Sequence, residues 1–87
     1  MRTIWKFPFE VDDILEIAMP KGAEVLHVDA QNDQPCIWAM VNSDEPMEDR
    51  RFLLFGTGLV VPHMKILHLG SFQMRGGRLV FHLFMEG

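Results

Sequence analysis

One cysteine, Cys36, and no tyrosine occur in the 87 residues of the chain. A single cysteine excludes an intramolecular disulfide, so the domain must be held by its apolar core, as is typical of proteins in the reducing cytoplasm. No apolar run approaches the roughly 18 residues that a membrane-spanning helix needs. Residues 1–6 also lack the long apolar segment of a secretion signal. We therefore expect a cytoplasmic protein that does not enter the membrane, with Cys36 as a small buried apolar residue.

Basic residues are few and scattered along the chain. Eight lysines and arginines stand against twelve aspartates and glutamates, which gives a formal net charge of −4. A surface that binds nucleic acid or anionic lipid needs clustered cations to neutralise phosphates, and the sequence has no such cluster. The composition therefore argues against direct binding of nucleic acid or of a membrane. It is compatible with a partner protein that offers a basic surface.

Recognisable catalytic and metal-binding motifs are also lacking. The four histidines do not stand at a recognised metal-ligand spacing, although His68 and His82 lie in neighbouring strand candidates and could approach each other in some registers. Ser43 and Ser71 lack the flanking glycines of a nucleophile elbow. Gly56-Thr57-Gly58 precedes no helical pattern, so a sharp chain reversal explains it better than a phosphate-binding loop. We therefore expect no catalytic residue, no metal and no cofactor.

The sequence is rich in short apolar segments separated by turn residues. With 87 residues and an apolar content of 48%, the chain predicts one domain over residues 1–87. Lys65–Phe84 offers the most continuous apolar surface. It reads as two strands joined at Gly76-Gly77, a pair that adopts positive φ without steric cost. We expect the core to form against this C-terminal hairpin.

Further strand candidates precede the C-terminal hairpin, and none of the segments holds a helical period over more than three turns. The candidates are Thr3–Glu10, in which Pro8 suits a strand end or an edge, then Ile14–Met19, Ala23–Gln31, Cys36–Val41 and Arg51–Phe55. Short strands at this spacing predict an all-β fold, or a β-rich α+β fold. The expected architecture is a small antiparallel sandwich or partly open barrel of about six to seven strands.

Two of these candidates predict a second hairpin. In Ala23–Gln31, the apolar residues Leu26, Val28 and Ala30 alternate with polar ones, which is typical of a half-exposed strand. Cys36–Val41 is apolar on both faces, so we expect it to be central in a sheet or covered by another element. The residues between the two strands favour a tight turn.

Three regions are candidates for binding a partner. Leu59–Met64 connects the last strand candidates and carries large apolar side chains, so it either tucks under the sheet as a core flap or forms part of an interface. Asn42–Arg50 is predicted as the main exposed loop, with a short helical turn as an option at Asp44–Met47. The tip of the C-terminal hairpin carries two arginines. The residues expected to contact a partner are Leu59, Val60, Val61, His63, Met64, Asp44, Glu45, Glu48, Asp49, Arg75 and Arg78.

Three blocks of the sequence follow one another in a specific order. They are Met19–Ala23 running on to Gln31–Ala39, then Phe55–Gly58, then Gly70–Gln73 with Leu79–His82. In this order they resemble a family of small uncharacterised proteins carried by tailed phages and prophages. The resemblance covers most of the chain and implies no catalytic residue. It implies a non-enzymatic accessory protein that binds a host protein, and the function we expect is an anti-defence inhibitor, for example of a CRISPR effector.

Two other functions stay open on the sequence. The surplus of apolar residues would also serve a structural or assembly accessory that forms a homo-oligomer. A pocket between protomers, with arginine or histidine groups facing an anion, would let the protein sequester a small anionic signalling nucleotide. A small metal-dependent enzyme is the least favoured interpretation.

Overall fold

Seven strands and no helix form the computed structural model, which describes residues 1–87. The strands are β1 (Arg2–Pro8), β2 (Ile14–Pro20), β3 (Glu24–Gln31), β4 (Gln34–Asn42), β5 (Met47–Gly56), β6 (Ile66–Met74) and β7 (Leu79–Glu86). The predicted all-β class is confirmed, and Ile14–Met19 is a strand. No helix in the chain could cross a membrane.

The strands form two antiparallel sheets packed as a sandwich. The three-stranded sheet has the order β1-β4-β3, and the four-stranded sheet has the order β2-β5-β7-β6. The Cα atoms span 40 × 32 × 16 Å, as expected for two flat layers. Since neither sheet closes on itself, the structure selects the sandwich over the partly open barrel. β4 lies at the centre of its sheet, one of the two places that its apolar faces predicted.

The sandwich has two ends, each formed by a different pair of turns. At one end, here called the hairpin end, the β3–β4 and β6–β7 turns meet, and the Arg75 N–H donates to Asp33 Oδ1 over 2.8 Å. At the other end, here called the acidic end, the β2–β3 and β4–β5 turns meet, and the Lys21 N–H donates to the Pro46 carbonyl over 2.8 Å. Both predicted hairpins are confirmed, and their tight turns place Asn32, Asp33 and Arg75 at positive φ.

The core lies between the sheets and is made mainly by their inward-facing central residues. Its buried members are Phe9, Leu15, Met19, Ala23, Val28, Ile37, Ala39, Val41, Phe52, Leu54, Phe72 and Leu83. The C-terminal hairpin takes part in the core as expected, through buried Phe72 and Leu83 and partly buried Leu69, Met74 and Phe81, but most buried residues come from the other strands. β6 lies at a sheet edge, so it gains less cover than the central strands β4 and β5. Cys36 is buried, as predicted.

The exposed loop predicted at Asn42–Arg50 is shorter in the structure. Strand β5 begins at Met47 rather than at Arg51, because Met47–Arg50 pair with Ile17–Pro20 of β2. Glu48 and Asp49 are therefore strand residues, and only residues 43–46 form the connection. The optional helical turn is replaced by a turn closed by the Glu45 N–H and the Asn42 carbonyl, 3.1 Å apart. A partner strand outweighs the local preference of charged residues for a loop.

The predicted alternation in β3 fails at one residue. The register with β4 shifts between Val25 and His27, where Val25 pairs with Ala39 and His27 pairs with Trp38. Leu26 falls in this β-bulge and is 45% exposed rather than directed into the core. His27 lies on the outer face, as predicted, with its ring centroid 5.6 Å from that of Trp38.

Candidate partner-binding surface

The connection between β5 and β6, here called the crossing segment (residues 57–65), passes over the outer face of the four-stranded sheet. It must join two strands that lie on opposite sides of β7. Together with Ile14, Leu53 and Phe55, it lines a depression of about 320 Å³. Leu53 and Phe55 point to the outer face, because the inward positions of β5 are held by Phe52 and Leu54. Ile14 of β2 pairs with Leu53 and therefore lies on the same face. The crossing segment also explains why Leu53, although it points outward, is only 7% exposed.

The apolar residues of the crossing segment are exposed. Val60 is 89% and Leu59 is 64% accessible, and Val61 and Met64 are also exposed. His63 is exposed as well. Of the two interpretations of Leu59–Met64, the core flap is wrong, because these side chains lie outside the sandwich. The segment offers an apolar surface at a place where a partner could reach it.

The chain reverses at Gly56-Thr57-Gly58, where β5 ends and the crossing segment begins, as predicted. The Leu59 N–H donates to the Gly56 carbonyl over 3.2 Å, and Gly58 has a φ of 89°. This conformation requires glycine, because a Cβ disfavours positive φ. The Thr57 N–H donates to the Val80 carbonyl over 3.0 Å, which fixes the reversal to β7.

A row of four hydrogen-bonded polar side chains lies beside the crossing segment on the same face. His82 Nε2 is 2.8 Å from Thr57 Oγ1, and His82 Nδ1 is 2.7 Å from Ser71 Oγ. Ser71 Oγ is also 3.0 Å from His68 Nε2. His68 and His82, which the sequence allowed to approach each other in some registers, have ring centroids 6.4 Å apart. Sequence reasoning missed Ser71 and Thr57 as members of this row.

One set of donors and acceptors satisfies the whole row. The Thr57 hydroxyl donates to the Val80 carbonyl over 3.4 Å and accepts from Nε2–H of His82. Nδ1 of His82 then accepts from the hydroxyl of Ser71, which in turn accepts from Nε2–H of His68. In this arrangement His82 carries a proton on Nε2 and none on Nδ1, and His68 carries a proton on Nε2. The row therefore presents fixed, directional polar groups on an exposed face.

The row lacks the third member of a catalytic triad. In a triad, a carboxylate orients the histidine that activates the serine. Here the second nitrogen of His82 faces Thr57, and the only histidine within 4.0 Å of a carboxylate is His27, 3.6 Å from Asp29. Nowhere in the chain do three or more histidine, cysteine, aspartate or glutamate side chains approach closely enough to hold a metal ion.

Arg75 and Arg78 lie at the hairpin end, as expected from their place in the β6–β7 turn. Arg78 and Leu59 line the same depression of about 510 Å³, which also includes Phe81. Arg75 lines a neighbouring depression of about 320 Å³ that also includes Asp33. The structure therefore brings the predicted arginines close to the start of the crossing segment.

The four predicted acidic residues lie elsewhere. Asp44, Glu45, Glu48 and Asp49 are all exposed at the acidic end. The carboxylate of Asp44 accepts a hydrogen bond from the amino group of Met1. Because the arginines and the start of the crossing segment lie at the hairpin end, the predicted contact residues form two separate regions rather than one surface.

These features define a small all-β sandwich domain with an exposed apolar segment on one face and a polar row beside it. The chain belongs to the family DUF7352, a domain of unknown function, whose family model matches residues 1–87. No curated protein and no solved structure matches the chain.

Proposed function

We propose that this domain is a non-catalytic binding protein that acts by stoichiometric contact with another protein through the crossing segment. The observation that carries the proposal is the exposure of consecutive apolar residues, led by Val60 at 89% and Leu59 at 64%. Burying one such side chain in a partner contributes about 1.5–3 kcal/mol relative to leaving it in water. The partner is therefore expected to offer an apolar cleft.

The polar row supports the same surface. Interfaces commonly combine an apolar centre with a polar rim that supplies hydrogen bonds. Thr57 belongs both to the crossing segment and to the row, where its hydroxyl is 2.8 Å from His82 Nε2. In the proposed complex, the crossing segment forms the centre, and His82, Ser71 and His68 lie at the rim.

The resemblance to small proteins of tailed phages and prophages supports a host protein as the partner. In that setting we propose an anti-defence inhibitor, for example of a CRISPR effector, that acts in the host cytoplasm. The net charge of −4 is compatible with a target that is basic because it binds nucleic acid. Carboxylates at the acidic end would then speed the encounter without carrying most of the affinity.

A single substitution in the crossing segment tests the proposal. Val60→Asp places a charge where the complex would bury an apolar side chain, and the exposure of Val60 in the free domain keeps the fold unaffected. Leu26→Asp is a matched control, because Leu26 is 45% exposed on the three-stranded sheet. The tagged wild-type chain and both variants are compared for the proteins that they capture from a bacterial host lysate. Plating assays on hosts that express each chain then measure how well it protects infecting phage from host defence.

The expected result is specific to the crossing segment. One protein should be captured by the wild-type chain and by Leu26→Asp, and Val60→Asp should lower its affinity about tenfold or more. Mixing the purified partner with the domain should then give a fixed stoichiometry, and phage protection should follow the same order. Equal binding by both variants, or no partner together with no protection, would contradict the proposal.

Sequestration of a small anionic nucleotide is the second candidate. The observation that favours it is the pair of imidazoles and hydroxyls on the outer face, which would exchange their hydrogen bonds within the row for bonds to phosphate. A ligand present at about 100 times its Kd would stabilise the domain by roughly 2.7 kcal/mol. Thermal melting with a panel of cyclic nucleotides measures this effect, and an unchanged melting temperature across the panel would exclude those ligands.

A further inference from the structure

Strand β1 leaves a complete row of backbone hydrogen-bonding groups unpaired. The Phe9 N–H donates to the Pro35 carbonyl over 3.0 Å, and the Ser43 N–H donates to the Met1 carbonyl over 2.8 Å. These bonds show that the odd-numbered residues of β1 face β4, because hydrogen-bonded positions alternate along an antiparallel pair. The N–H and carbonyl groups of Arg2, Ile4 and Lys6 therefore point away from β4, at the edge of the sheet.

Strand β2 presents an equivalent row in the other sheet. The Leu54 N–H donates to the Asp13 carbonyl over 3.1 Å, and the Lys21 N–H donates to the Pro46 carbonyl over 2.8 Å. The same alternation leaves the backbone groups of Ile14, Glu16 and Ala18 directed away from β5. β2 is also an edge strand.

The two free edges border the same side of the sandwich. On the opposite side, β3 and β6 approach so closely that a Cβ on Gly70 would lie 2.3 Å from Cγ1 of Val28. β1 and β2 therefore share the remaining side, and they run in opposite directions. β1 runs towards the hairpin end, because it is antiparallel to β4. β2 runs towards the acidic end, because it is antiparallel to β5.

We propose that two copies of the chain form a two-fold symmetric dimer in which β1 of each protomer pairs with β2 of the other. A two-fold axis along the strands, midway between the two layers, exchanges the layers and keeps the strand directions. It therefore places β1 antiparallel to the partner's β2 on one layer, and β2 antiparallel to the partner's β1 on the other. Each three-stranded sheet continues into the four-stranded sheet of the other protomer, and both free edges are paired.

The two strands match in length and in the places of their prolines. β1 and β2 each have 7 residues and each ends in proline. Full overlap pairs Lys6 with Glu16, Ile4 with Ala18, Arg2 with Pro20 and Pro8 with Ile14. The prolines, which lack an N–H, then stand only at the ends of the new ladder, where a missing donor costs least. The side chains of each pair lie on the same outer face, as one continuous sheet requires.

Charge and apolar exposure favour this pairing. Opposite charges face each other at Lys6 and Glu16, and such cross-strand pairs are stabilising. Glu16 forms no ion pair within the protomer, and Lys6 Nζ is 3.0 Å from Gln31 Oε1 without a carboxylate partner. Ile4 is 53% exposed and Ile14 is 47% exposed. Both lie on the edges that the dimer joins, so dimerisation would cover part of their surface.

Charge reversal tests the proposed pairing. Lys6→Glu and Glu16→Lys each place like charges opposite each other at two symmetric positions, and the double variant restores opposite charges. Sedimentation of the full chain over a concentration series measures the dissociation constant of the dimer. We expect a wild-type dimer of twice the 10.1 kDa protomer mass. Each single reversal should raise the dissociation constant on the order of tenfold, and the double variant should return it close to the wild-type value.

The control variant is Glu24→Lys, which changes the net charge as Glu16→Lys does but lies in β3, at the opposite side of the sandwich. It should leave the dissociation constant unchanged, and circular dichroism of all variants should show the same fold. A wild-type chain that stays monomeric up to about 1 mM, which corresponds to less than about 4 kcal/mol of association free energy, would overturn the proposal. A dimer whose dissociation constant is unchanged by both single reversals would also overturn it. The same holds if Val60→Asp raises the dissociation constant instead. The result is independent of the proposed host partner.

Discussion

Gly70 of β6 faces Val28 of β3 so closely that no other residue type fits without displacement. A Cβ on Gly70 would lie 2.3 Å from Cγ1 of Val28. Val28 is 3% exposed, so its methyl group cannot move into solvent. The contact closes one side of the sandwich, where β3 and β6 meet across the two sheets.

Gly70→Ala should therefore destabilise the fold. Gly70 does not have a positive φ, so the cost is steric rather than conformational. Overpacking of this kind typically costs about 1–3 kcal/mol. The measurement is the free energy of unfolding from urea titration of the wild type and the variant.

Gly56→Ala is the matched control for this contact. Gly56 also lies in a strand without positive φ, but its added Cβ would meet Leu59 Cδ1 at an ordinary 3.4 Å. We expect little change or a slight gain in stability, because alanine restricts the unfolded chain. Val28→Ala combined with Gly70→Ala should cost less than the sum of the single changes. Additive effects in the double variant would contradict the proposed contact.

Arg50→Ala should cost about 1–3 kcal/mol of stability. Arg50 Nη1 donates to the buried Ala23 carbonyl over 2.9 Å, and its guanidinium lies 5.9 Å from the centre of the Phe52 ring. Removing the side chain takes away a charged donor and a cation–π contact together. Chemical denaturation measures the loss.

Arg51→Ala provides the comparison for Arg50. Arg51 Nε lies 4.0 Å from Glu86 Oε1, and both side chains are 54% exposed. Exposed ion pairs contribute little, so we expect a change within about 0.5 kcal/mol. Equal losses for the two variants would mean that the Arg50 contacts do not stabilise the fold.

Asn32→Ala should weaken the β3–β4 hairpin, and Asn32→Gly should not. Asn32 and Asp33 have φ values of 51° and 62°, as in a type I′ turn. Alanine is strained at such values by about 1–2 kcal/mol, whereas glycine is not. Melting temperatures of the three chains provide the test, and equal values for the alanine and glycine variants would contradict this assignment.

His82 should carry its proton on Nε2. Thr57 directs its hydroxyl towards the Val80 carbonyl and so accepts from His82, while Ser71 donates to Nδ1. Nitrogen-15 chemical shifts of the imidazole ring distinguish the two tautomers. Thr57→Val removes the acceptor and should increase the share of the Nδ1–H tautomer. If wild-type His82 already carries its proton on Nδ1, the hydrogen bonds of the row run in the opposite direction, and the prediction is wrong.

Most of the strands could be predicted from sequence because their signals are local. The alternation in Ala23–Gln31 and the doublet Gly76-Gly77 each act within a few residues, and both gave the expected elements. The start of β5 at Met47 could not be predicted, because its charged residues become a strand only when β2 pairs with them. The exposure of Leu26 likewise depends on a bulge that forms against β4.

The candidate surface was only partly predictable for the same reason. Leu59–Met64 stood out in the sequence as an apolar connection, but its place on the outer face follows from β7 lying between β5 and β6. The polar row depends on the register that sets Ser71 opposite His82 and on the reversal that brings Thr57 to the same ring. A register cannot be read from either strand alone, because each strand has the same alternation in several alignments.

The sequence by itself determined an all-β domain with its turns and a surplus of apolar side chains, since backbone geometry and side-chain alternation act over short distances. The tertiary structure decided which of those side chains face solvent and which strands have free edges. It also decided which polar groups meet, such as His82 and Thr57, 25 positions apart in the chain. These outcomes depend on long-range strand pairing and on sheet packing, whose energies come from contacts between segments.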